Sequence, residues 1–327
     1  MESYLFVSDI HGRDSYLENN LFQIMITQDK PGTVFFTGDI VGTDLLERLH
    51  MLFYGGVYNP MKKLLKDNPY PTNDEILNFK IIGGTISTGV DNIVNFLKKL
   101  DLEFRIKDKA KFAKKIVRYD HFGHFCSNLP QKIRDKLKMD MSKNAEAVYQ
   151  LMDDYTQKGW KVIIVEGNWD ARTPLDWEFR QKCVATRLEN RPFIFKHFIE
   201  LRKNPNIYYF DTATTIETED YIFSIWPFDA VIDVQQQLPT ITKDKRKRIM
   251  ISHTQINKDL IKGETPITKE TKKINRNMQV VIDLIKPDII VHGHMDEDSQ
   301  VNQYLYQNIP VFHIPLRTAT FIDFENI

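Results

Sequence analysis

Five short segments carry side chains able to hold divalent cations. In chain order they are Asp9-Ile10-His11, Gly38-Asp39, Gly167-Asn168-Trp169-Asp170, Ser252-His253 and His292-Gly293-His294-Met295-Asp296. Carboxylates, imidazoles and one amide can together hold two such cations. Two cations about 3.5–4 Å apart clamp a phosphate and bind a shared hydroxide. The chemistry these residue types could do is therefore hydrolysis of a phosphate ester. The competing reading is five unrelated polar strand ends in an ordinary α/β domain.

Positioning these side chains falls to the elements before them. Each segment directly follows an apolar run: Tyr4-Leu5-Phe6-Val7, Val34-Phe35-Phe36, Val162-Ile163-Ile164-Val165, Ile249-Met250-Ile251 and Ile289-Ile290-Val291. Short runs of this kind read as buried strands. Polar residues just past several buried strands converge on one sheet edge, where α/β proteins place their ligands.

In these segments the chain resembles the calcineurin-like metallophosphoesterases. That family is similar in its Asp-x-His, Gly-Asp, Gly-Asn-His-Asp/Glu, lone His and Gly-His-x-His segments, in this order, over roughly residues 3–44 and 160–320. The resemblance implies a four-layer α/β/β/α sandwich, here with a mostly helical insertion. It implies Asp9 and His11 on a first metal, Asn168, His253 and His294 on a second, and Asp39 bridging the two. Asp39 and Asn168 are then the catalytic pair, with Asn168 also facing the phosphate. The metals implied are Mn2+ or Fe2+, with Zn2+ or Ni2+ as alternatives.

Two positions depart from the family pattern. Asp296 stands where the last His of Gly-His-x-His is expected. If Gly293 anchors the turn, Asp296 binds the first metal and keeps an oxygen ligand suited to Mn2+ or Fe2+. In the alternative register, His292 and His294 supply the two imidazoles. A shift of two residues returns to the same strand face, so strand parity does not separate the registers. The Gly-anchored one is preferred, because the apolar run ends at Val291. Trp169 is the second departure, standing where most of the family has His. Indole is a donor only and no general acid, a contribution worth about 10²–10⁴-fold. Trp169 could stack on a base or simply pack under its loop. Arg13 and Arg172 suit bidentate contact with phosphate oxygens; surface ion pairing is the plainer role for both.

The implied activity is that of a metal-dependent phosphodiesterase or nucleotide-directed hydrolase, a cytoplasmic enzyme whose substrate is a phosphate ester. A phosphomonoesterase or protein phosphatase, and a binding protein with an impaired metal site, are the alternatives. Lys+Arg and Asp+Glu balance at 44 each, so no global field recruits nucleic acid or membrane. Lys243–Arg248 is a basic run that reads as a solvated turn before a strand. Cys126 and Cys183 lack metal spacing and suggest a reducing compartment. There is no apolar run of membrane-spanning length.

The chain reads as one domain over 1–327, with residues 45–158 a helical insertion or cap. Val90, Ile93, Val94, Leu97 and Leu100 have helical spacing; further helices are expected near 110–117, 129–137 and 145–155. Such an insertion could shape the pocket, decorate the fold or form a dimer surface. Helices are also expected near Tyr16–Met25 and over about 174–203. Additional strands are expected at Ile207–Phe210, Tyr221–Trp226, Pro310–Ile314 and Thr318–Asp323. His121 and His124 share a helix face but read as an exposed pair.

Overall fold

A computed structural model describes residues 3–8, 10, 30–40, 42, 44–119, 122–167, 203–232, 234, 245–254, 269–293, 302–315 and 318–327. The helices expected near Tyr16–Met25 and over 174–203 lie outside these residues, apart from Lys203.

The chain opens with β1 (Tyr4–Ser8), β2 (Thr33–Phe36) and α1 (Asp44–Phe53). A π-helical segment (Tyr54–Tyr58), α2 (Asn59–Asp67) and α3 (Asn73–Asn78) follow. Next come β3 (Lys80–Ile81), β4 (Gly84–Thr85), α4 (Ile86–Leu100), α5 (Lys109–Val117), α6 (Phe122–Ser127) and α7 (Gln131–Gln157). The rest is β5 (Lys161–Val165), β6 (Ile207–Phe210), β7 (Thr214–Glu217), β8 (Tyr221–Trp226), α8 (Phe228–Ile232), β9 (Lys247–Ser252), α9 (Lys269–Ile285) and β10 (Ile289–His292). It closes with β11 (Asn302–Tyr306), β12 (Ile309–His313) and β13 (Thr318–Phe321). The fold is mixed α/β. Two compact units compose it: Met1–Val41 with Asn144–Ala171 and Pro192–Ile327, and Gly42–Lys143 with Arg172–Arg191.

The first unit holds two sheets, of order β13-β1-β2-β5-β6 and β11-β12-β10-β9-β8-β7. β1, β2, β5 and β6 run parallel, as do β8, β9, β10 and β12. Alternate residues of both sheets meet in one apolar layer. Tyr4, Phe6, Phe35, Ile163 and Val165 come from the first sheet; Phe223, Ile249, Ile251 and Val291 come from the second. The ring centroids of Phe35 and Phe223 lie 5.1 Å apart across that layer. Each such side chain fully buried contributes about 1.5–3 kcal/mol of transfer free energy. The other face of the second sheet, with Trp226, Met250, Ile290 and Val311, is covered by Ala230 and Val231 of α8 and Met278, Val281, Ile282 and Ile285 of α9. Leu5, Val7, Val34, Phe36, Val162 and Ile164, on the opposite face of the first sheet, are also fully buried. Burial on both faces is why these strands are continuous apolar runs.

Among its described residues, the second unit has helices and the β3–β4 hairpin. The π segment packs against α1, α2, α4 and α5. Its backbone comes so close to α4 that a Cβ on Gly89 would lie 2.1 Å from Gly56 O. The helices expected at 129–137 and 145–155 are one continuous helix, α7. The intervening Lys138–Asn144 has no Gly or Pro to break it. Among the described residues, no helix is long and apolar enough to cross a membrane.

Candidate metal centre

The five motif strands are β1, β2, β5, β9 and β10. The first three are parallel neighbours in one sheet and the last two in the other, so within each sheet their C-terminal ends share an edge. Glycines join these ends. A Cβ added to Gly38, after β2, would lie 2.3 Å from His253 Nδ1, after β9. One on Gly167, after β5, would lie 2.1 Å from the Asp39 amide N and 2.3 Å from its Oδ1. One on Gly293, after β10, would lie 2.3 Å from Ser8 Oγ and 2.7 Å from Thr37 Oγ1. All three separations are shorter than real Cβ contacts, so only glycine lets the backbones meet here.

Asp39 and His253 face each other at this seam. Gly38 (φ 97°) and Asp39 (φ 48°) both adopt left-handed backbone, which turns the chain sharply after β2. Asp tolerates that region better than most residues, though it still costs energy. Asp39 is 1% exposed and His253 is fully buried. Asp39 Oδ2 lies 3.6 Å from His253 Nε2. His253 Nδ1 donates to Thr37 O at 2.8 Å, so in the neutral ring the lone pair is on Nε2, the nitrogen nearest the carboxylate. A cation with bonds of about 2.1 Å at a tetrahedral angle needs donors about 3.4 Å apart, so the pair can share one. The imidazole is neutral in that arrangement, as a metal ligand must be.

Thr37 fixes the tautomer and is itself fixed. Its amide and hydroxyl donate to Val7 O at 2.8 and 3.3 Å. Across the seam, Ser252 Oγ donates to Trp226 O at 2.9 Å and accepts from the Thr254 amide at 3.0 Å, holding the turn that carries His253. The Phe228 ring stands edge-on to the imidazole, with centroids 6.1 Å apart.

His292 does other work. Its Nδ1 donates to Gly293 O at 2.8 Å, and its Nε2 accepts from Tyr304 Oη at 2.9 Å. Its ring also stacks on His313, with centroids 5.0 Å apart. Both ring nitrogens are thus engaged within the second sheet.

Asp9, His11, Arg13, Asn168, Trp169, Asp170, Arg172, His294 and Asp296 lie outside the described residues, as do Asp120 and His121. The chain neighbours of three of them are at the seam: Ser8 precedes Asp9, Gly167 precedes Asn168 and Gly293 precedes His294. Among the described residues, no group of three or more His, Cys, Asp or Glu side chains is gathered. Outside the seam, His124 packs on Tyr119 and His50 between Tyr54 and Phe122. Burial lowers the His50 pKa to about 4 and raises that of the Cys126 thiol, which leaves the thiol inert. The basic run ends in structural contacts: Arg246 pairs with Glu217 at 2.7 Å, Lys247 donates to Phe324 O and Arg248 to Ile285 O.

Two residues at the seam escape a reading of the sequence. Thr37 acts through its carbonyl, which has no residue signature. Glu166, fully buried, accepts from Tyr209 Oη at 3.0 Å directly before Gly167. A carboxylate ending an apolar run was its only visible sign. No protein-family model matches the chain, and comparison with curated proteins finds no relative.

Proposed function

We propose that this protein is a metal-dependent phosphoesterase of the calcineurin-like kind, acting on phosphodiesters or nucleotides. The observation that carries the reading is the buried Asp39–His253 pair, its tautomer set by Thr37, at the meeting point of five motif-bearing strands. Asp39, His253, Asp9, His11, Asn168, His294 and Asp296 would hold two divalent cations, Mn2+ or Fe2+ before Zn2+ or Ni2+. When bound, such cations supply Lewis acidity toward the phosphoryl oxygens and toward water. Asp39 would contribute a carboxylate that is itself buried. Thr37 fixes the orientation of the His253 ring and the proton on its Nδ1, while Gly38, Gly167 and Gly293 keep side chains out of the seam. Arg13 and Arg172 would grip the phosphate, and Trp169 would stack on a planar group of the substrate. Without a proton donor at position 169, hydrolysis favours esters with good leaving groups.

The reading extends to architecture. The layers β/β/α, visible in the first unit, become a four-layer α/β/β/α sandwich if helices cover the outer face of the first sheet.

The test is metal analysis of the purified protein, then hydrolysis of an aryl phosphodiester, the matching monoester and a nucleotide panel with Mn2+. We expect two metals per chain and diester cleavage, with Asp39→Asn losing activity while keeping its circular dichroism. A metal-free protein that hydrolyses none of these after Mn2+ loading would overturn the proposal.

A further inference from the structure

The neutral total charge conceals a segregation. Residues 42–143, the main segment of the second unit, carry 19 Lys and Arg against 12 Asp and Glu. Much of the excess lies on two adjoining helices, α2 and α5, which pack together. α2 buries Met61 and Leu64 and exposes Lys62, Lys63 and Lys66. α5 has no acidic residue; it buries Ala110, Ala113 and Ile116 and exposes Lys111 and Lys115, with Arg118 exposed just past its end. Among the described residues, none of these six cations forms an ion pair with a carboxylate. Like charges gathered this way repel one another, and an anion spread over both helices would relieve the repulsion.

Tyr70 adds an aromatic to this face. It sits in the link between α2 and α3 and is 92% exposed, which is unusual for so large a ring. The link is held rigidly. The Tyr70 amide donates to Asn68 Oδ1 at 3.1 Å, and Thr72 and Glu75 form a reciprocal cap on α3. Lys114 Nζ donates to Asn73 Oδ1 at 3.0 Å, tying α5 to the start of α3 beside Tyr70. Exposed cations on two packed helices, with an exposed ring on the link that follows α2, match a chain of phosphates bearing unstacked bases.

We propose that the α2–α5 face of the second unit binds single-stranded nucleic acid, with backbone phosphates along the lysines and a base stacked on Tyr70. The surface is independent of the metal centre, and its test requires no hydrolysis.

The experiment is fluorescence anisotropy of a labelled 20-nucleotide oligothymidine with the full chain in EDTA, over a series of salt concentrations. We expect log affinity to fall linearly with log salt. The variant Lys63→Gln/Lys66→Gln/Lys111→Gln/Lys115→Gln should bind more weakly, with the slope reduced by about three. Tyr70→Ala should weaken strand binding about tenfold while leaving the weaker binding of a duplex unchanged. All four lysines and Tyr70 are exposed, so equal melting temperatures should show intact folds. Three results would each overturn the proposal: no strand binding at low salt, strand binding indifferent to the lysine variant or to Tyr70→Ala, or lysine-dependent binding of phosphatidylserine vesicles without binding of the strand.

Discussion

Replacing Gly167 with Ala tests whether backbone contact at the seam sets the geometry of Asp39. The added methyl would stand 2.1 Å from the Asp39 amide N and 2.3 Å from Oδ1. Ordinary contact requires roughly 1 Å more, and the nearer neighbour is backbone, which cannot swing aside as a side chain can. The Gly38–Asp39 turn must therefore shift by about that amount, at a cost of about 1–3 kcal/mol in stability. A displacement of 1 Å at a reacting site costs about 10²-fold in rate. The expected result is a modest drop in melting temperature, weaker Mn2+ binding by titration calorimetry and about 10²-fold slower cleavage of an aryl diester. Gly55→Ala is the control, because a methyl there meets nothing within 4 Å; it should leave all three quantities near wild type. A Gly167→Ala protein with wild-type metal affinity and rate would refute the reasoning, whatever its melting temperature.

His292→Ala should leave metal content unchanged but destabilise the fold by about 1–3 kcal/mol, since it removes a buried ring that stacks on His313 and bonds Tyr304; Asp296→Ala should lower metal content instead, and the opposite pattern by elemental analysis would favour the shifted register. His50 gives a pH dependence of stability. Its folded pKa of about 4 lies below its ordinary 6.5, so its neutral form is the one the fold accommodates. The stability it permits is fully present above pH 6.5 and falls as pH drops toward 4, by up to about 3 kcal/mol. Urea unfolding at pH 7 and pH 4.5 should show this loss, and His50→Phe should shrink it.

The motif strands were legible because they lie in parallel ladders buried on both faces, which demands unbroken apolar runs. β7 (Thr214–Glu217) and β11 (Asn302–Tyr306) went unread, since edge strands are short and half polar. The stretch α1–π–α2 lies in the insertion expected to be helical, but no helix was delimited there, since Gly55-Gly56 and Asn59-Pro60 are poor helix formers. In the fold the helix passes through both, because Gly56 is needed against Gly89 and Pro60 falls in the first turn of α2. α9 was overlooked because its N-terminal half is charged and only Met278, Val281, Ile282 and Ile285 show its period. At the seam, residue types announced Asp39 and His253. The partner that orients His253 is a carbonyl 216 residues away in sequence, which no local pattern encodes.

That separation bears on how the protein folds. Closing a loop of this length costs about 5 kcal/mol in chain entropy before any contact there returns it. Docking of the two sheets must supply that energy, so the Thr37–His253 contact belongs to the completed native state and to no early intermediate. Anything bound at the seam would consequently hold the whole first unit folded rather than one loop, and the midpoint of global unfolding would rise with its concentration.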